Sequence, residues 1–157
     1  MSEQNHRANI GQSRKLARKL LKDAKITSSP ILINSVIKYL KKSYDLSIYA
    51  WSFSDGIDGI QVTANNKSVI GYNSSKHRHR NRFTVAHEIG HLLLGHTTGD
   101  RFFDLDLDSK APHEIEANQF AAELLMPISM FKQDYTRLKN VQKLAELYDV
   151  SEEAAWW

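Results

Sequence analysis

Arg82-Phe83-Thr84-Val85-Ala86-His87-Glu88-Ile89-Gly90-His91-Leu92-Leu93-Leu94-Gly95-His96 is the stretch from which the fold can be read. Wound as an α-helix with His87 at the origin, it places His91 at about 40°, Thr84 at about 60° and Glu88 at about 100°. Phe83, Val85, Ala86, Ile89, Leu92, Leu93 and Leu94 take up the rest of the circumference. A helix apolar on most of its sides is a buried helix. Its polar wedge, two histidines, a glutamate and a threonine, then needs partners, because burying such groups alone costs several kcal/mol. One partner suits all of them. Imidazoles four residues apart lie one turn apart on the same face and reach a single metal ion, as in the HExxH pattern. Glu88 stands beside that ion without competing for it, where it can take a proton from a water whose pKa the metal lowers toward about 7. The competing reading is a histidine pair hydrogen-bonded in the core.

A zinc site needs a third protein ligand, and with no cysteine in the chain the choice is His, Asp or Glu. The extension that adds a further histidine six residues after the second, with a glycine between, is absent: Leu94 and Thr97 occupy those places. His96 would point to the far side if the helix continued, and reads as a helix-exit histidine. Glutamates recur downstream, in Glu114-Ile115-Glu116-Ala117-Asn118-Gln119-Phe120-Ala121-Ala122-Glu123-Leu124-Leu125-Met126-Pro127. Ala117, Phe120, Ala121, Leu124 and Leu125 form the apolar arc of this second helix. Glu116 borders the arc beside Phe120, and Glu123 follows on nearly the same line. Glu114 falls inside the arc but in the first turn after Pro112, where an acid balances the helix dipole. The wheel does not choose among the three. The small residues Ala117, Ala121 and Ala122 predict close approach of this helix to the metal-bearing one.

Working outward, 157 residues make one domain, and 41% hydrophobic with 25% charged residues is an ordinary globular mixture. The lack of cysteine excludes disulfide frameworks, thiolate metal sites and Cys nucleophiles. No apolar run reaches the roughly 18 residues of a membrane span. Met1 to Gln12 is polar and without a secretory h-region, which predicts a mobile tail and a cytoplasmic protein. Residues 1–50 carry ten basic and three acidic side chains, against eleven and fifteen in residues 51–157. Arg14, Lys15, Arg18, Lys19 and Lys22 read as the solvated face of a helix over 13–24; they lack interleaved aromatics, so direct nucleic-acid binding is disfavoured. A second helix follows Ser28-Ser29-Pro30 up to Lys41-Lys42. Strands are predicted near 46–53, 59–64 and 67–72, joined by turns at Ser54-Asp55-Gly56 and Asn65-Asn66 as an antiparallel meander. Asp104, Asp106 and Asp108 lack the glycine and distal glutamate of a calcium loop. Shorter helices are predicted around 128–135 and 139–149. Residues 139–157 have a helix-turn-helix flavour, but two basic and four acidic side chains oppose phosphate contact, and the segment reads as a packing hairpin.

The pieces 82–96 and 114–127, with the strand ending Val69-Ile70-Gly71-Tyr72-Asn73-Ser74-Ser75, resemble the ImmA/IrrE family of metallo-endopeptidases over most of residues 30–150. The resemblance implies an α+β, zincin-like domain over 13–157, with a small three-stranded antiparallel sheet packed on the helices. It implies Zn2+ held by His87, His91 and Glu116, with Glu88 as general base. It also implies an intracellular endopeptidase that cleaves a helix-turn-helix transcriptional repressor of a prophage, mobile element or stress regulon. The alternative is a metal-containing regulator that sequesters such a repressor without cutting it. A transition-state stabiliser would come from Tyr72, His77, His79 or His113.

Overall fold

The computed structural model describes residues 7–52, 56–96, 101–103 and 108–157. Among them the chain runs α1 (Ile10–Asp23), α2 (Ile33–Leu40), β1 (Asp45–Trp51), β2 (Gly59–Ala64), β3 (Lys67–Asn73), α3 (Arg78–Leu94), β4 (Arg101–Phe103), α4 (Pro112–Leu125), α5 (Ile128–Leu138), α6 (Val141–Tyr148) and α7 (Glu152–Trp156). The expected α+β class is the one observed.

The sheet is mixed and four-stranded, in the order β1-β3-β2-β4. β2 and β3 form the expected hairpin: Asn65 and Asn66 both take the left-handed conformation, φ 50° and 61°. That is the two-residue turn whose twist matches the flanking strands. The rest of the meander is corrected. β1 lies beyond β3 and parallel to it, with Ile48 beside Ile70. Turn residues announce that a chain reverses, not which strand it returns beside. The connection from Trp51 to Gly59 is long enough for β2 to skip one place, which β3 then fills. Ser54 and Asp55 of that connection lie outside the described residues. β4, in a stretch read as loop, pairs antiparallel with β2 at the other edge; Asp104 and Asp106 are outside the described residues.

α1 begins three residues before the expected Ser13, because Asn9 caps it: its Oδ1 accepts from Gln12 N at 3.0 Å. Residues 7–12 of the expected tail therefore lead into and open this helix, while residues 1–6 lie outside the described set. Its basic face is not all solvated. Arg14 hydrogen-bonds Gln119 and Arg18 pairs with Glu123 at 3.2 Å, seating α1 along α4.

α3 is the axis of the molecule, with every residue from Phe83 to His91 buried. Its basic first turns are tied to the protein: Arg78 and His79 to Asp149, Arg80 to the buried Asp58, and Arg82 to the carbonyls of Ile31 and Asp149. Asp149 sits in the left-handed turn between α6 and α7, so these pairs fasten that hairpin to α3. On the opposite side, α4 comes so close that a Cβ on Gly90 would lie 2.9 Å from Phe120 Cδ1. The glycine inside the HExxH segment thus makes room for the helix that completes the site.

Candidate metal centre

His87 and His91, 0% and 1% exposed, turn their Nε2 atoms toward each other at 2.8 Å. Glu114 of α4 closes the triangle, with Oε2 3.0 Å from His87 Nε2 and Oε1 3.5 Å from His91 Nε2. Two atoms on the histidines face outward, and each is held. His87 Nδ1 lies 2.8 Å from Asn118 Oδ1. His91 Nδ1 lies 3.0 Å from His96 Nδ1, and His96 Nε2 lies 2.8 Å from Glu116 Oε2.

This outer ring fixes the tautomers. Asn118 Oδ1 only accepts, so His87 Nδ1 carries a proton. Glu116 accepts from His96 Nε2–H, and His96 is kept neutral because burial lowers its pKa against the pull of Glu116. A neutral His96 presents a lone pair at Nδ1, so His91 Nδ1–H donates to it. Both inner Nε2 atoms are then lone pairs. Glu114 joins them as the carboxylate of the cluster, its oxygens turned to the two Nε2 atoms.

Three electron-rich groups facing one point in a buried place repel unless a cation stands between them. Their spacing suits one. A tetrahedral ion with ligand bonds near 2.1 Å sets ligands about 3.4 Å apart, beside the observed 2.8, 3.0 and 3.5 Å. Among the described residues, His87, His91 and Glu114 are the group whose ligand atoms gather closely enough to hold a metal ion.

Glu116, expected as the third ligand, is not brought into this cluster. On α4 it points about 200° away from Glu114. Its Oε1 accepts from Asn9 N at 2.7 Å and its Oε2 meets His96, so its place is behind the histidines. Glu123 shares that side and meets Arg18. His96 arrives because α3 stops at Leu94: Gly95 adopts φ 76°, and His96 N donates back to His91 O at 2.9 Å. This glycine-terminated helix end swings His96 beside His91 rather than to the far side. The Gly95 signal was present in the sequence, as was the four-residue spacing that sets Asn118 on the same face as Glu114.

Glu88 is 1% exposed and adjoins His87 on the helix. Of the four stabiliser candidates, His113 is the one near the cluster, its Nε2 3.3 Å from Glu114 Oε1 and its side chain 44% exposed. His77 caps α3, His79 pairs with Asp149, and Tyr72 lines a separate cavity of about 750 Å³ with Arg78 and Arg82.

The family described as the IrrE N-terminal-like domain, Peptidase_M78, matches residues 43–156, a span that takes in every residue of this cluster. A protein of Bacillus phage phi105 called "Uncharacterized immunity region protein 2" is 29% identical over 137 residues, covering 80% of this chain and 82% of its own. A solved structure, a Mycobacterium tuberculosis transcriptional regulator, shares the fold with a TM-score of 0.68 at 13% identity. It matches 92% of this chain, which spans only 45% of that longer one.

Proposed function

The chain belongs to the IrrE N-terminal-like domain family of peptidases, and from that premise we propose that it is a zinc-dependent endopeptidase. The observation that carries the reading is the convergence of two imidazole lone pairs and one carboxylate at a buried point next to a second carboxylate. His87, His91 and Glu114 hold the ion; two nitrogens and one oxygen suit zinc. Zinc, when bound, polarises a water and the peptide carbonyl.

The chain's own groups do the rest. Glu88 takes the proton of the attacking water and passes it to the departing amine. Asn118 and the His96–Glu116 pair keep both imidazoles in the tautomer that offers Nε2 inward. His113, 44% exposed and next to Glu114, would donate a hydrogen bond to the carbonyl oxygen as charge develops on it.

The substrate class we propose is a helix-turn-helix repressor in the cytoplasm. It is supported by the family and by a phage relative whose name places that protein in an immunity region. Among the described residues no helix is long and apolar enough to cross a membrane. The test is Glu88→Gln with a helix-turn-helix repressor as substrate, taken from a gene beside that of this protein where one is encoded there. Zinc content should stay at one ion per chain while cleavage disappears. A repressor left intact by wild-type, zinc-loaded protein that nevertheless binds it would replace cutting with sequestration.

A further inference from the structure

Gln61, on β2, is 2% exposed, yet neither its Nε2 nor its Oε1 has a hydrogen-bond partner. In the strand register Ile70 lies directly opposite it on β3 and Ile48 beyond that on β1, while Arg101 of β4 is its partner on the other side. A carboxamide in that position, unsatisfied, costs free energy that its neighbours do not return.

Two contacts say what it faces. Arg80, Thr84 and Glu88 are spaced by four and form one ridge of α3. Arg80 binds Asp58, and Thr84 Cγ2 lies against Gly59, where a Cβ would come within 2.9 Å of it. From Gly59 to Gln61 the strand advances about 6.6 Å on the same face, and from Thr84 to Glu88 the helix advances about 6 Å. The register that sets Gly59 on Thr84 therefore carries Gln61 to the turn of Glu88. Thr84 is 0% exposed, and its Oγ1 also lacks a hydrogen-bond partner. Thr84, one turn before Glu88 on α3, and Gln61, level with that turn by this register, are both buried polar groups without a hydrogen-bond partner.

We propose that Gln61, helped by Thr84, is a positioning residue for Glu88: its amide donates through one bridging water to the glutamate's carboxylate and fixes the direction in which that carboxylate takes a proton. The proposal rests on the peptidase reading for its purpose, but the contact itself is tested without it.

Four proteins suffice: wild type, Gln61→Leu, Glu88→Ala and the double variant. In metal-free protein, Gln61→Leu should change Tm by an amount that differs between the Glu88 and Glu88→Ala backgrounds by about 2 °C or more. Zinc stoichiometry of Gln61→Leu should remain that of wild type, while kcat falls about tenfold or more with KM unchanged. Gln61→Glu, which cannot donate while ionised, should not restore the rate, and Gln61→His, which keeps a donor, should restore part of it. Additive Tm shifts, or a Gln61→Leu variant with wild-type kcat, would overturn the proposal. A wild type that neither holds zinc nor cuts would overturn the peptidase reading instead, and the Tm cycle would still decide the contact.

Discussion

Glu114 and Asn118, one turn apart on α4, grip opposite ends of one imidazole: Glu114 Oε2 is 3.0 Å from His87 Nε2, and Asn118 Oδ1 is 2.8 Å from His87 Nδ1. One helix face therefore supplies both a candidate ligand and the group that sets the tautomer of another. Asn118→Leu should keep the fold but let the His87 ring take either tautomer. Metal affinity should fall about 10- to 100-fold, measured by competition with a chromophoric chelator. An unchanged affinity would mean that packing alone orients His87.

Glu114 and Glu116 should separate cleanly in the same assay. Glu114→Ala removes a candidate ligand and should abolish stoichiometric zinc after gel filtration. Glu116→Ala should retain zinc with affinity weakened about 10- to 100-fold, since it acts through His96. It should also lower stability by about 1–3 kcal/mol, because Asn9 N and His96 Nε2 lose their acceptor. The reverse pattern, with Glu116 the variant that empties the site, would return the third ligand to Glu116.

These two glutamates also mark how far the sequence could be read. Helix α3 was legible because periodicity and chemistry agreed: nearly all its sides are apolar, and the polar wedge had one economical use. The same was true of α4 as an element, and of its approach to α3. The choice among its acids was not legible, because a wheel gives directions only relative to its own axis. Which direction faces α3 depends on α1, whose Asn9 and Arg18 claim the Glu116–Glu123 side. Strand order failed for a similar reason: pairing of β1 with β3 is a long-range choice that no local signal encodes. Gln61 was invisible, since a single polar residue in a strand means little until the strand's buried face is known.

Gly90 should not tolerate a methyl group. Gly90→Ala would put a Cβ 2.9 Å from Phe120 Cδ1 and 3.2 Å from its Cβ and Cγ, in the packed contact between α3 and α4. Alanine's better helix propensity offers about 1 kcal/mol, less than the upper part of the 1–3 kcal/mol that overpacking costs. Net destabilisation should appear in urea unfolding, together with weaker zinc binding as α4 and its Glu114 are pushed outward. Phe120→Leu should relieve part of it. A Gly90→Ala protein with wild-type stability and zinc affinity would show that the helices separate at no cost.

The Tyr148–Asp134 pair predicts how stability depends on pH. Tyr148 is buried and its hydroxyl donates to Asp134 Oδ2 at 2.7 Å. Burial, then the hydrogen bond and charge of Asp134, push the phenol's pKa up. The same hydrogen bond, with Arg137, pulls the Asp134 carboxyl down. A group whose folded pKa is raised stabilises fully below its unfolded value, about 10 for tyrosine, and loses that contribution as pH climbs through the folded value. A carboxyl whose folded pKa is lowered stabilises above about 3.9 and loses its contribution as pH falls through the folded value. Urea midpoints should therefore decline on both limbs, above about pH 10 and below about pH 4. Tyr148→Phe should flatten both, because it removes the phenol that titrates at high pH and the donor that holds Asp134 down. It should also remove a late-ionising component from the tyrosinate absorbance titration. A Tyr148→Phe protein whose two limbs match those of wild type would show that other groups set the pH profile.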